Sequence, residues 1–98
     1  MTKDTHINSI IEAAEEAITS AAFLRRTIRR KTKRGDARRA TALTAAIENL
    51  EEAMIPIRSE MGRLSFLNLS ARLEAKLRQT SLDCQGERKR LLKMLGHW

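Results

Sequence analysis

Tyrosine is absent from this 98-residue chain, and Phe23, Phe66 and Trp98 are its only aromatic residues. Glycine occurs four times and proline once. A β-sandwich or barrel needs a turn signal roughly every 8–12 residues, so this shortage of turn residues and aromatics excludes one. No apolar run approaches the roughly 18 residues that a membrane-spanning helix requires. The opening residues Met1-Thr2-Lys3-Asp4 lack the apolar stretch of a secretory signal. The single cysteine, Cys84, has no partner for an internal disulfide, which suits a reducing compartment and makes the cytoplasm the expected location. His6 and His97 stand far apart with no Cys, Asp or Glu at ligand spacing, so no metal is expected. There is no glycine-rich phosphate loop and no arrangement of Ser, His and Asp, so neither a cofactor, a catalytic residue nor a small-molecule substrate is expected. The chain reads as non-enzymatic.

What is present is helix-forming. Hydrophobic residues make up 42 % and charged residues 32 %, a globular composition of a size for one domain, residues 1–98. In the first third, Ile7, Ile10, Ile11, Ala14, Ala17, Ile18, Ala21, Leu24 and Ile28 recur at steps of three and four, the helical period. Asp4, Thr5 or Ser9 can cap its start, and Gly35 and Asp36 can end this helix and begin the next. The second stretch carries Leu43, Ile47, Leu50, Met54, Ile57, Met61 and Leu64, an unbroken 4-3-4-3 alternation typical of a coiled-coil seam. Folding the chain at Gly35 brings the two stripes together as an antiparallel helical hairpin, about residues 6–33 and 36–61. In it Leu24 faces Ile47, Ala21 faces Leu50 and Ile18 faces Met54. Pro56 removes one amide from the second arm and predicts a kink.

Beyond Gly62 the pattern predicts one or two shorter C-terminal helices. One runs over about 67–80 with Phe66, Leu69, Leu73 and Leu77 on a side, and Ser81 caps another that turns Leu91, Leu92 and Leu95 inward. A two-helix hairpin is marginal alone, so these helices or a second copy of the chain must cover it. The fold class is therefore all-α, a small helical bundle.

The formal net charge is +7, and its distribution is uneven. Arg25, Arg26, Arg29, Arg30, Lys31, Lys33, Arg34, Arg38 and Arg39 crowd into fifteen positions against one acid, Asp36. Cations at a helix C-terminus are favoured by the helix dipole, but Arg38 and Arg39 open a helix, where the same dipole disfavours each by roughly 0.3–1 kcal/mol. Crowding like charges adds self-repulsion that a hairpin turn does not need. The preference for arginine suits bidentate phosphate or carboxylate contacts. A second basic patch, Arg88, Lys89, Arg90 and Lys93, follows Arg72, Lys76 and Arg78. It loosely has the form of a helix-turn-helix, set against the plainer reading of a solvated face.

Other constellations read as ordinary surface. Glu12, Glu15 and Glu16, and Glu48, Glu51 and Glu52, lie on polar helix faces and can pair with bases of neighbouring elements. An enzyme in a small helical bundle would need buried Arg, Lys and Glu around an anionic substrate, and only Arg25 and Arg58 come near the apolar seams. Arg78 and Arg88 near Cys84 would lower its thiol pKa, although a plain small residue suffices there. The expected function is that of a small regulatory or accessory protein acting by binding. Its Arg-rich tip contacts nucleic acid or a nucleoprotein, and its seams hold protein or a second copy. The alternative is a protein–protein adaptor, co-chaperone or inhibitor whose basic tip docks an acidic protein surface.

Overall fold

The seven-residue apolar repeats wind into three long helices: α1, Lys3–Lys31; α2, Ala37–Met61; and α3, Ala71–Gly96. The computed structural model describes residues 3–31, 37–63 and 69–96, with side chains described for 4–28, 37–63 and 69–96. The expected caps at Gly35 and Asp36, and the expected apolar contacts of Leu64 and Phe66, lie outside the described residues. No strand occurs among the described residues.

Length alone sets the course of the chain. At about 1.5 Å per residue, α1 and α2 are roughly 43 and 38 Å long, so end to end they need about 80 Å. The molecule measures 48 × 19 × 17 Å, so α2 must return along α1. The Nε2 of His6 lies 3.7 Å from the Oε1 of Glu60, which puts the start of α1 beside the end of α2. Two ion pairs then fix the sense of α3. Lys76 meets Glu15 at 3.8 Å and Arg25 meets Glu87 at 2.8 Å, so moving up α1 also moves up α3. The helices form an up-down-up bundle with α1 and α3 parallel.

All three helices face one core. The expected seams are inside it: Ile7, Ile11, Ala14, Ala21 and Ile28 of α1, with Leu43, Ile47, Leu50, Met54 and Ile57 of α2, are buried. Ala17, Ile18, Leu24 and Met61 pack at its edge. The helix α2 runs through Pro56 to Met61, where the Gly62 amide donates to the Arg58 carbonyl at 3.1 Å and the chain turns.

The C-terminal part differs from the sequence expectation. It is one helix of 26 residues, not one or two shorter ones, and it outlasts the 25 residues of α2. Its cap is Ser70, whose Oγ accepts from the Leu73 amide at 3.2 Å. Ser81, expected to cap a separate helix, is buried in mid-helix and accepts a hydrogen bond from Gln85 at 3.2 Å. The reason is a continuous seam: Leu73, Leu77, Thr80, Cys84, Glu87, Leu91 and Met94 are all buried and alternate at four and three. Thr80 is tolerated because its hydroxyl donates to the Lys76 carbonyl at 2.8 Å. Leu92, expected inward, is off this stripe and 39 % exposed, while Met94 takes the inward place. Burial of the seam outweighs the helix penalty of Gly86, about 1 kcal/mol relative to alanine.

Two carboxylates are buried: Glu60 at the end of α2, 3.7 Å from His6 and 3.8 Å from Arg63, and Glu87 of α3. Arg25 and Glu87 occupy seam positions of α1 and α3, and Glu87 is 3 % exposed. Its Oε1 accepts from the Arg25 Nε at 2.8 Å and its Oε2 from the Arg90 Nη1 at 3.1 Å, so both carboxylate oxygens are partnered.

Two outcomes follow for stability. A Cβ at Gly86 would meet no atom within 4 Å, so Gly86→Ala should stabilise by about 0.5–1 kcal/mol, a rise of roughly 2–8 °C in Tm by circular dichroism. In urea titrations, Glu87→Ala should cost about 1–3 kcal/mol by stranding Arg25, whereas Arg25→Leu with Glu87→Leu should fall within about 1 kcal/mol of the parent. Equal losses for the single and the double variant would show that the cost does not come from stranding Arg25.

Candidate nucleic-acid interface

The parallel run of α1 and α3 gathers both basic sequence patches at one end of the bundle. There α1 finishes with Arg25, Arg26, Arg29, Arg30 and Lys31, α2 begins with Arg38 and Arg39, and α3 finishes with Arg88, Lys89, Arg90 and Lys93. Within the helices no acid follows Glu16 in α1, precedes Glu48 in α2 or follows Glu87 in α3. The acids lie toward the middle and the opposite end, so the molecule is electrically polarised along its long axis.

The individual bases differ. Arg25 is held by Glu87, with its side chain 30 % exposed. Arg88 donates to Glu51 at 2.9 Å across the α2–α3 boundary, and Arg90 is bound to Glu87. Arg26, Lys89 and Lys93 are exposed and Arg39 is half-buried, and none of the four is in an ion pair among the described residues. Arg38 is exposed in the first turn of α2. The side chains of Arg29, Arg30 and Lys31, and all of Lys33 and Arg34, lie outside the described residues. Sequence reasoning set Arg88, Lys89, Arg90 and Lys93 apart as a secondary patch. It missed their convergence with the tip, because that depends on α3 being unbroken.

The helix-turn-helix expectation is corrected. α3 passes through Thr80 and Ser81 without a turn, so there is no recognition helix distinct from a preceding one. The acidic clusters partly pair as expected, Glu51 with Arg88 and Glu15 with Lys76. Arg58 is exposed rather than at a seam, and it lines a cleft of about 330 Å³ between α2 and α3 with Met54, Gln85, Gly86, Arg88 and Lys89. Among the described residues that cleft is lined by no carboxylate, hydroxyl or thiol. Among the described residues no three His, Cys, Asp or Glu side chains are placed to hold a metal ion, and no helix is long and apolar enough to cross a membrane. Phe23 is 64 % exposed three residues before Arg26, a single ring beside the basic end.

Cys84 is fully buried in the α3 seam. Burial, and secondarily the charge of Asp83, push its thiol up to about 11, the reverse of the lowering expected from nearby arginines. The neutral thiol suits the core, and the thiolate does not. Because the folded pKa lies above the unfolded one, this group's contribution is whole below about pH 9 and is lost as pH rises toward about 11. At pH 8 the native thiol should react with a disulfide reagent at least about 100-fold more slowly than in the denatured chain. Replacing Cys84 by Ala should remove the part of the alkaline stability loss that falls between those pH values. Comparison with family models, curated proteins and solved structures finds no match for this chain.

Proposed function

We propose that the chain is a small non-enzymatic binding protein whose basic end engages the phosphates of nucleic acid, free or within a nucleoprotein, in a regulatory or accessory role. The observation that carries this reading is the gathering of eleven helical bases (Arg25, Arg26, Arg29, Arg30, Lys31, Arg38, Arg39, Arg88, Lys89, Arg90 and Lys93) at an end with no helical acid beyond Glu16, Glu48 and Glu87. Such a field attracts a polyanion and steers its approach. The core does not require it, because the three seams close without those side chains, Arg25 and Arg90, the partners of Glu87, excepted. Arginine's bidentate fork suits phosphate oxygens. The lone buried cysteine supports a reducing compartment such as the cytoplasm. The seams fill one another, so a protein partner or second copy would use an outer face.

The test is a titration into labelled duplex and single-stranded DNA and RNA at about 50 and 200 mM salt. Six phosphate contacts would give a log–log salt slope of about −5, hence roughly a thousandfold loss of affinity over that range. Arg26→Glu, Arg30→Glu, Arg38→Glu and Arg39→Glu together should abolish binding while the helical circular dichroism persists. Absence of binding by the parent at 50 mM salt would overturn the reading and leave an acidic protein surface as the partner.

A further inference from the structure

We infer that the ends of all three helices form one site for a nucleic-acid duplex, with Lys89 and Lys93 of α3 acting together with Arg26, Arg38 and Arg39. This rests on the proposed function and extends it from the tip to the whole end of the bundle. Three observations carry it.

The first is position. The Arg25–Glu87 and Glu15–Lys76 pairs set an offset of about sixty residues between α1 and α3, so Lys89 and Lys93 stand level with the last two turns of α1. Lys89 lines the cleft between α2 and α3, and Lys93 is one turn further toward the end on the same face. The Arg88–Glu51 pair puts Lys93 level with about residue 46 of α2. Arg39 is then about 10 Å further along the axis at 1.5 Å per residue. The cations of α2 and α3 thus share this end of the bundle, with Lys93 and Arg39 about 10 Å apart along its axis.

The second is availability. Among the described bases Lys76, Arg78, Arg63 and Arg88 each face a carboxylate, whereas Arg58 and Arg72 are in no ion pair. Arg26, Arg39, Lys89 and Lys93 face none among the described residues. Glu48 and Glu52 lie beside Glu51, Arg58 and Arg88 on the α2 flank, level with the α3 segment that carries Lys89.

The third is shape. The bundle is 19 × 17 Å across, wide enough to place cations on both backbones that border a groove about 12 Å wide. A single strand presents one row of phosphates and binds by stacking successive bases on several aromatic rings. Phe23 is the only exposed large aromatic among the described residues, so these residues offer no such platform.

The experiment compares the parent, Arg38→Gln with Arg39→Gln, and Lys89→Gln with Lys93→Gln, by fluorescence anisotropy. The probes are a 20-base-pair DNA duplex, the matching RNA duplex and the single strand. Glutamine keeps helix propensity at the exposed Arg38, Lys89 and Lys93 and the half-buried Arg39, and circular dichroism checks the fold. The lysine pair should shallow the salt slope on duplex by about 2 and weaken binding ten- to a hundredfold near 100 mM salt. The arginine pair should do the same, and the parent should bind duplex more tightly than single strand. If the arginine pair weakens binding while the lysine pair leaves affinity and slope at parental values, the three-helix site is overturned and the tip reading stands. Equal or tighter binding to the single strand overturns the duplex as occupant. If the parent binds none of the probes, both this inference and the function it extends are overturned. The two duplex arms separate DNA from RNA.

Discussion

The structure depends on one constraint: three seven-residue stripes must bury each other along a single narrow axis. Two helices of this length expose too much of their stripes to hold together alone. The third closes the core only if it runs the full length of the other two. This is why α3 passes through Ser81 and Gly86, residues that would favour an end in an isolated peptide. The long-range gain of burying Leu73, Leu77, Leu91 and Met94 exceeds the local preferences of two residues. Arg25 and Glu87 sit within the same stripes, and their bond sets which turn of α1 lies against which turn of α3. A hydrophobic pair there would not demand this particular pairing. We read the ion pair as a register device, the best-attested use of a charged pair in a helical seam.

Register has an electrostatic consequence. Had α3 run antiparallel to α1, its basic C-terminal turns would have lain beside Glu12, Glu15 and Glu16, and the charges would have cancelled. The parallel arrangement instead stacks base on base and leaves the acids of α1 beside the first half of α3, where Lys76 meets Glu15. The polarity of the molecule is thus a product of topology, and neither basic segment shows it alone.

Much of the fold was legible because two of the three seams are spelled in aliphatic letters. Ile7 to Ile28 and Leu43 to Ile57 announce their period directly, and they are the buried residues of α1 and α2. The seam of α3 was hidden, because Thr80, Cys84 and Glu87 fill three successive positions with polar or small groups. Each is acceptable only for a reason found in three dimensions: a carbonyl four residues back for Thr80, a neutral thiol for Cys84, and Arg25 and Arg90 for Glu87. Without those partners the stripe appears to break at residue 80, and the chain was divided there. The site was legible in its parts for the same reason. The run of bases from Arg25 to Arg39 is plain in the sequence, but its union with Lys89 and Lys93 follows from the unbroken α3.

The helix dipoles separate bases that the fold explains from bases that it does not. At the basic end α1 and α3 present their C-termini, where each cation gains about 0.3–1 kcal/mol. The arginines and lysines closing those helices are therefore tolerated in a slender bundle despite their mutual repulsion. α2 presents its N-terminus, and Arg38 and Arg39 oppose its dipole by a similar amount each. They also add to the repulsion from the two neighbouring helix ends. The first turn of α2 itself contains no acid. In a chain whose net stability is of the order of 5–15 kcal/mol the dipole cost of such residues is small, and an anion bound at this end would offset it.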